Sequence, residues 1–359
     1  MTKRKYQIII HTSRTDGVHT EKNNVAYPQM SKASVGDTIK VFTQKIDIQA
    51  ERNGKFDIED IIEYKQSTIY TQIYKSLLYL FLKKGKRVNI RSIDVRRTDY
   101  FQSLPIDAKR QPLIGDFSIR FAIPEAVLDN LWEEGVKGNT MRAAASHFLV
   151  ALSSNDRYIR FERLWRAFEQ IAMWHCYHDA IPNKPKEFET LVNMRNHICS
   201  NPIELSNTFA YVDTLDNTKI ESLHWRKLIQ NNYTFTDKIK QVRVLYDDFF
   251  DKNKDERLVG VFKKALKMQE KEINNQGRKV DFETLISDYS NNHMKNNSHI
   301  LSLLVCKYCY FMRNKMFHGE VADFSFCFTN HTEDDDITEF LNELLERLVN
   351  ELICEYNNL

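Results

Sequence analysis

The feature that most constrains this chain is a change of hydrophobic period at Gly135 and Gly138. Before it, short runs alternate between apolar and polar residues, as half-buried strands do. Tyr6–His11 is a short β-rich run. Asp37–Ile48 is a second, with Ile39, Val41 and Thr43 on one side, and Arg87–Arg96 is a third, in which Val88 and Ile90 pass to Ile93 and Val95 with a slip of phase. Phe117–Ile123 reads as a further strand and Ala126–Trp132 as a short helix. Only residues 57–84 keep a helical stripe, through Ile69, Ile73, Leu77 and Phe81, with Gly85 as the stop. After Gly138 strand signals nearly vanish. The expectation is an α+β domain over residues 1–136, a recognition or partner module, and a mainly α-helical domain over 137–359. An insertion is expected around 180–235, where Asn, Pro and mixed polar residues break the pattern.

Within the helical part, Asn139 is a candidate cap for a helix holding Met141–Leu152. Residues 157–177 carry Phe161, Leu164, Trp165, Phe168, Ile171 and Ala172 on one face. Residues 237–272 read as two helical pieces, and Asp281 opens another helix. Asp336-Ile337-Thr338-Glu339 has the form of a cap with Glu at its third position. The helix that follows is apolar over Ile337, Leu341, Leu344, Leu345, Leu348, Val349, Leu352 and Ile353. That face is broad enough to pack inward and also against a second subunit.

Chemistry concentrates in Ser302–Glu320. Leu304, Val305, Tyr308, Phe311 and Met312 form the buried side of a helix, and Arg313, Asn314 and His318 close it before Gly319. Asn314 and His318 stand one turn apart on one face, and the long side chain of Arg313 can swing towards them. By itself such a trio also suits a helix C-terminus interacting with its dipole.

Arg313-Asn314-Lys315-Met316-Phe317-His318 resembles the R-N-x-x-x-H signature of the HEPN superfamily (higher eukaryotes and prokaryotes nucleotide-binding). The aromatic and acidic helix Phe161–Glu169 and the amphipathic closing segment Ile337–Asn357 are similar to elements of that family. The resemblance implies a helical-bundle domain, often a metal-independent ribonuclease in bacterial defence or toxin systems. It also implies a homodimer that faces two motifs across a cleft, an acidic partner for the motif Arg (Glu169 here) and a regulatory or antitoxin protein. In such a site His318 would move protons, Arg313 would hold the phosphate, and Asn314 would fix the His tautomer or bind phosphate. The rival expectation is a non-catalytic RNA- or protein-binding subunit that keeps Arg313 for anion binding alone.

A net charge of +2 rules out a polyanion-binding surface over the whole chain, so an RNA site must be local. Residues 83–110 hold nine Lys/Arg against three Asp, with Tyr100 and Phe101 beside them. Arg91, Arg96, Arg97 and Tyr100, with Lys315 beside the motif, are the candidate RNA contacts. The six Cys show no disulfide-framework spacing, which fits a reduced, cytoplasmic chain. The apolar run Ile8–Ile10 is too short for an export signal, and Leu77–Leu82 is too short to span a bilayer. His175 with His178, and Cys306 with Cys309, are each a single tight pair where zinc prefers two, so no metal is expected. No phosphate-cradling glycine loop occurs, and no cofactor is expected. Met-Arg-Asn occurs at both Met194 and Met312, but Arg195-Asn196-His197 lacks the downstream His and reads as coincidence.

Overall fold

The computed structural model describes residues 3–30, 35–64, 67–107, 111–112, 114–177, 187–225, 228, 253–264, 267, 282–292, 294–317 and 333–359. An N-terminal antiparallel sheet is followed by a mostly helical remainder. The chain divides into two compact units, residues 1–185 with 349–359 and residues 186–348.

The first unit is built on six strands: β1 (Arg4–Thr12), β2 (Thr20–Val25), β3 (Asp37–Val41), β4 (Lys45–Arg52), β5 (Ile90–Arg97) and β6 (Tyr100–Pro105). Their order in the sheet is β2-β3-β4-β1-β5-β6. The register sets Ile8 between Ile48 and Val95, and Ile10 between Ile46 and Ile93, so one face is a continuous apolar layer. Between β4 and β5 the chain forms α1 (Ile58–Glu63) and α2 (Thr68–Lys84). Ser67 caps α2, and Gly85 ends it at φ +64° with its N–H on the Leu82 carbonyl. Ile69, Ile73 and Phe81 are buried as their spacing requires.

Polar residues on α2 are buried too. Gln72 donates to Asp37, which also takes two bonds from Arg52 at 2.8 and 2.6 Å. Lys75 donates to the Ala26 carbonyl and pairs with Glu134 at 2.6 Å.

Three expectations change here. Residues 37–48 are not one strand but the two arms of a hairpin, because the Phe42 N–H closes on the Lys45 carbonyl at 2.8 Å. Residues 117–123 make only an isolated bridge, Ser118 with Lys86. Their backbone groups go elsewhere: Asn350 bonds both the N–H and the carbonyl of Phe121, and Ile119 donates to Gly85. The helix at 126–132 is present as α3 (Glu125–Leu128) running into a 3-10 turn, Asp129–Trp132.

α4 (Val136–Leu152) starts three residues before the expected cap Asn139, on Gly135 at φ +99°. It packs along α5 (Arg157–Tyr177), and both, expected with the second domain, lie in the first unit. The chain end completes this unit. The Tyr356 ring stacks on Trp174 with centroids 5.8 Å apart, and its hydroxyl donates to the Lys137 carbonyl.

Among its described residues the second unit has helices joined by turns and no strand. α6 (Glu187–Ser200), α7 (Ser206–Asp213) and α8 (Asn217–Glu221) occupy the stretch expected as an insertion. Much of 237–272, and Asp281, lie outside the described residues, and a helix runs over Phe282–Asn292. A buried ion pair holds the centre of this unit. Arg257 binds Asp255 through two nitrogens, at 2.9 and 2.7 Å, and donates to the carbonyls of Val212 and Leu215. The closing helix spans Glu333–Cys354. Asp336, expected as its cap, instead sits in an acidic first turn with Glu333, Asp334 and Asp335, which favours the helix dipole.

Candidate functional site

The motif helix runs from Asn297 to Phe317, capped by Asn296, whose side chain accepts from the His299 N–H. Leu304–Cys309, in its middle, forms a π-helical turn, a feature concentrated at functional sites. Ile300, Leu301, Leu304, Val305, Tyr308, Phe311 and Met312 are buried, as the spacing predicts. The Tyr308 hydroxyl accepts from the His224 N–H at 2.9 Å, and its ring meets Trp225 edge-on. Cys306 and Cys309 are buried. Burial pushes Cys306 up to about 12 and Cys309 well above the usual thiol range, so both are protonated packing residues.

At the end of this helix Arg313, Asn314 and Lys315 are half-buried. The Arg313 guanidinium donates to the Asn314 side-chain oxygen at 2.8 Å. Lys315 lies over the Phe311 ring, 5.1 Å from its centroid. The helix is described to Phe317, and His318 lies outside the described residues. Glu169 is half-buried on α5, in the first unit, whereas Arg313 belongs to the second. Glu162, one face-repeat earlier on α5, pairs with Arg166 at 2.7 Å.

The second Met-Arg-Asn lies on α6, which packs against the π turn of the motif helix. Met194 is buried there, and His197 is buried with Asn201 at 3.1 Å from its Nδ1. His175 is 3.4 Å from the Leu359 carbonyl, and His178 lies outside the described residues. Among the described residues no three His, Cys, Asp or Glu gather as metal ligands. Among them, too, no helix is long and apolar enough to cross a membrane.

The basic window separates into two sets across the β5–β6 pair. Strand parity sends alternate side chains to opposite faces. Arg97 and Tyr100 are cross-strand partners, and Arg97 shares its register position with Tyr6, on the apolar face. The Arg97 side chain is only 4% exposed, pairs with Asp99, and donates to the Phe56 carbonyl at 3.0 Å. That pairing raises Arg97, and Arg97 in turn lowers Asp99. Tyr100 bonds Gln102 and accepts from the Ile58 N–H at the start of α1. These two residues, expected to touch RNA, tie the sheet edge to α1.

Arg96 and Phe101 form the next pair and face the other way. Phe101 is 61% exposed, and the Arg96 guanidinium lies 5.2 Å from its ring centroid. Arg91 is exposed on β5, while Lys109 and Arg110 lie outside the described residues. The same face shows a second arrangement that composition gave no hint of. Asp94 accepts from Ser103 at 2.6 Å and lies 3.1 Å from His11 Nε2. Burial alone would raise Asp94, but these two bonds and nearby Arg96 outweigh it and hold the carboxyl below its usual range. The alternation of β1 was the available signal: Gln7, Ile9 and His11 must share the face opposite Ile8 and Ile10.

No family model, curated protein or solved structure matches this chain.

Proposed function

We propose that this chain is a metal-independent endoribonuclease of the HEPN type. The observation that carries the reading is the linked Arg313–Asn314 pair, half-buried on the last described turn of a helix whose other side is core. A permanent cation held at the protein surface by a neighbouring amide suits a phosphate, and guanidinium geometry suits its oxygens. In the sequence the motif closes with His318. In the reaction a base removes the ribose 2′-OH proton, and the 2′-oxygen attacks phosphorus. The 5′-oxygen then leaves with a proton from an acid. Arg313 offsets the charge that builds on the phosphoryl oxygens between these events. His318 from each of two chains would divide the acid and base roles in a homodimer. A bacterial defence or toxin role follows from the resemblance alone.

The test is cleavage of an unstructured RNA by purified protein in EDTA. His318→Ala and Arg313→Ala are each expected to abolish cleavage while circular dichroism stays unchanged. Full activity in His318→Ala, or loss in EDTA with rescue by Mg²⁺, overturns the reading. RNA binding that is intact and insensitive to His318, with no cleavage, selects the non-catalytic subunit instead.

A further inference from the structure

We infer that the side of the N-terminal sheet opposite its apolar layer is a stacking platform for single-stranded RNA, centred on the exposed Phe101 and Arg96; this rests on RNA being the substrate. An exposed ring standing alone needs no explanation, but Phe101 has exposed cations and a cleft beside it on the same face. Phe101 stands on β6, the last strand in the sheet order, with one side of its ring taken by Arg96. A ring backed by a guanidinium accepts any base on its open side, because every base has a π face.

Beside this pair lies a cleft of about 690 Å³ on the same sheet. Lys5, Gln7, Thr38, Gln49 and Arg96 are among its lining residues. The register sets Gln7 beside Gln49 and beside Arg96, and Thr38 beside Gln49, so these side chains share one face. Amides and hydroxyls can read base edges and 2′-OH groups, and the cations suit the backbone.

The charges on this face are arranged for a polyanion. Its two buried carboxylates are already engaged, Asp47 by Gln7 at 2.9 Å and Asp94 by Ser103 and His11. Glu21 is taken by Lys40 at 3.0 Å. Lys5 and Arg96 are exposed in the cleft, where Glu51 is the carboxylate among the described lining residues, and Arg96 also stands 4.0 Å from Asp94. Single-stranded RNA fits better than duplex, since only unpaired bases can be splayed onto a ring.

The experiment is fluorescence anisotropy of the full chain with labelled 12-mer single-stranded and duplex RNA, over a salt series, in a His318→Ala background that leaves RNA intact. Phe101→Ala is expected to weaken single-strand binding by about 5- to 100-fold, Phe101→Trp to keep it, and duplex binding to change little. Lys5→Ala with Arg96→Gln is expected to flatten the salt dependence by about 0.7 log units of slope per lost contact. Wild-type affinity in Phe101→Ala overturns the platform; if the His318-competent protein still cleaves RNA, the nuclease reading survives that failure. Binding that depends on Phe101 in a protein that never cleaves keeps the platform and removes the nuclease. Unchanged RNA binding with lost self-association in sedimentation makes this face a protein contact and overturns the proposal.

Discussion

The Arg313 guanidinium donates to the side-chain oxygen of its immediate neighbour Asn314 at 2.8 Å. Successive residues on a helix point about 100° apart, so this bond forms only because the long Arg side chain bends round to the Asn face. Under the proposed function Asn314 would therefore position the cation. Asn314→Ala is expected to lower kcat for RNA cleavage about 10- to 100-fold, with a smaller change in KM and a stability within about 1 kcal/mol of wild type. Arg313→Lys is expected to recover little, because an ammonium lacks the paired donors. Steady-state kinetics with urea denaturation check both. Wild-type kcat in Asn314→Ala separates the bond from function.

Arg97 carries the opposite expectation to Arg96. Its guanidinium is enclosed by Asp99, the Phe56 carbonyl and the rings of Tyr6 and Tyr100. Arg97→Ala is expected to cost about 1–3 kcal/mol in urea unfolding and to leave RNA affinity per folded molecule unchanged. A variant of full stability with weakened RNA binding would return Arg97 to the RNA surface.

The closing helix changes meaning once its burial is seen. Ile337, Leu341, Leu344, Leu345, Leu348, Val349, Leu352 and Ile353 are all buried within the single chain. No apolar surplus is left on them for a partner, so these residues do not form an exposed apolar interface. Leu345→Asp is expected to unfold the protein, at a cost above about 4 kcal/mol, rather than to release folded monomers. Circular dichroism and sedimentation on the same sample decide: a folded monomer from a dimeric wild type would restore the closing helix as an interface.

Several elements were legible in the sequence because local pattern and burial agree. Residues 157–177 form α5 with all six expected core residues buried, since a 3.6 period needs no distant partner to be read. The hairpin at Phe42–Lys45 was not legible, because Phe42-Thr43-Gln44 holds none of the usual turn residues. Nor were the buried pairs Arg52–Asp37 and Arg257–Asp255, or buried Lys75. Their partners include carbonyls and carboxylates from other segments, which one-dimensional spacing does not show. At the basic window strand parity separates neighbours that composition does not. Tyr100 and Phe101 are adjacent in sequence, so composition treats them alike, while the pleat turns half-buried Tyr100 towards Arg97 and leaves Phe101 exposed.

Cys306 and Cys309 provide a test of the motif helix itself. Burial holds both thiols above the usual range, Cys306 at about 12. Native protein at pH 8 is expected to leave both unlabelled by iodoacetamide, with labelling only after denaturation. Above a pH of about 9 the unfolded thiols lose protons that the folded ones keep, so stability falls as pH rises towards 12. Rapid labelling of either residue in the native state would mean that this helix core opens.

The most direct measurement is the chemistry of the cleaved ends. Proton transfer at the 2′-OH without a metal leaves a 2′,3′-cyclic phosphate on one fragment and a 5′-OH on the other. Wild-type protein incubated with RNA in EDTA is expected to give those ends, and His318→Ala is expected to give no fragments. Fragments with 3′-OH and 5′-phosphate ends, formed only with Mg²⁺ and equally by His318→Ala, would contradict it.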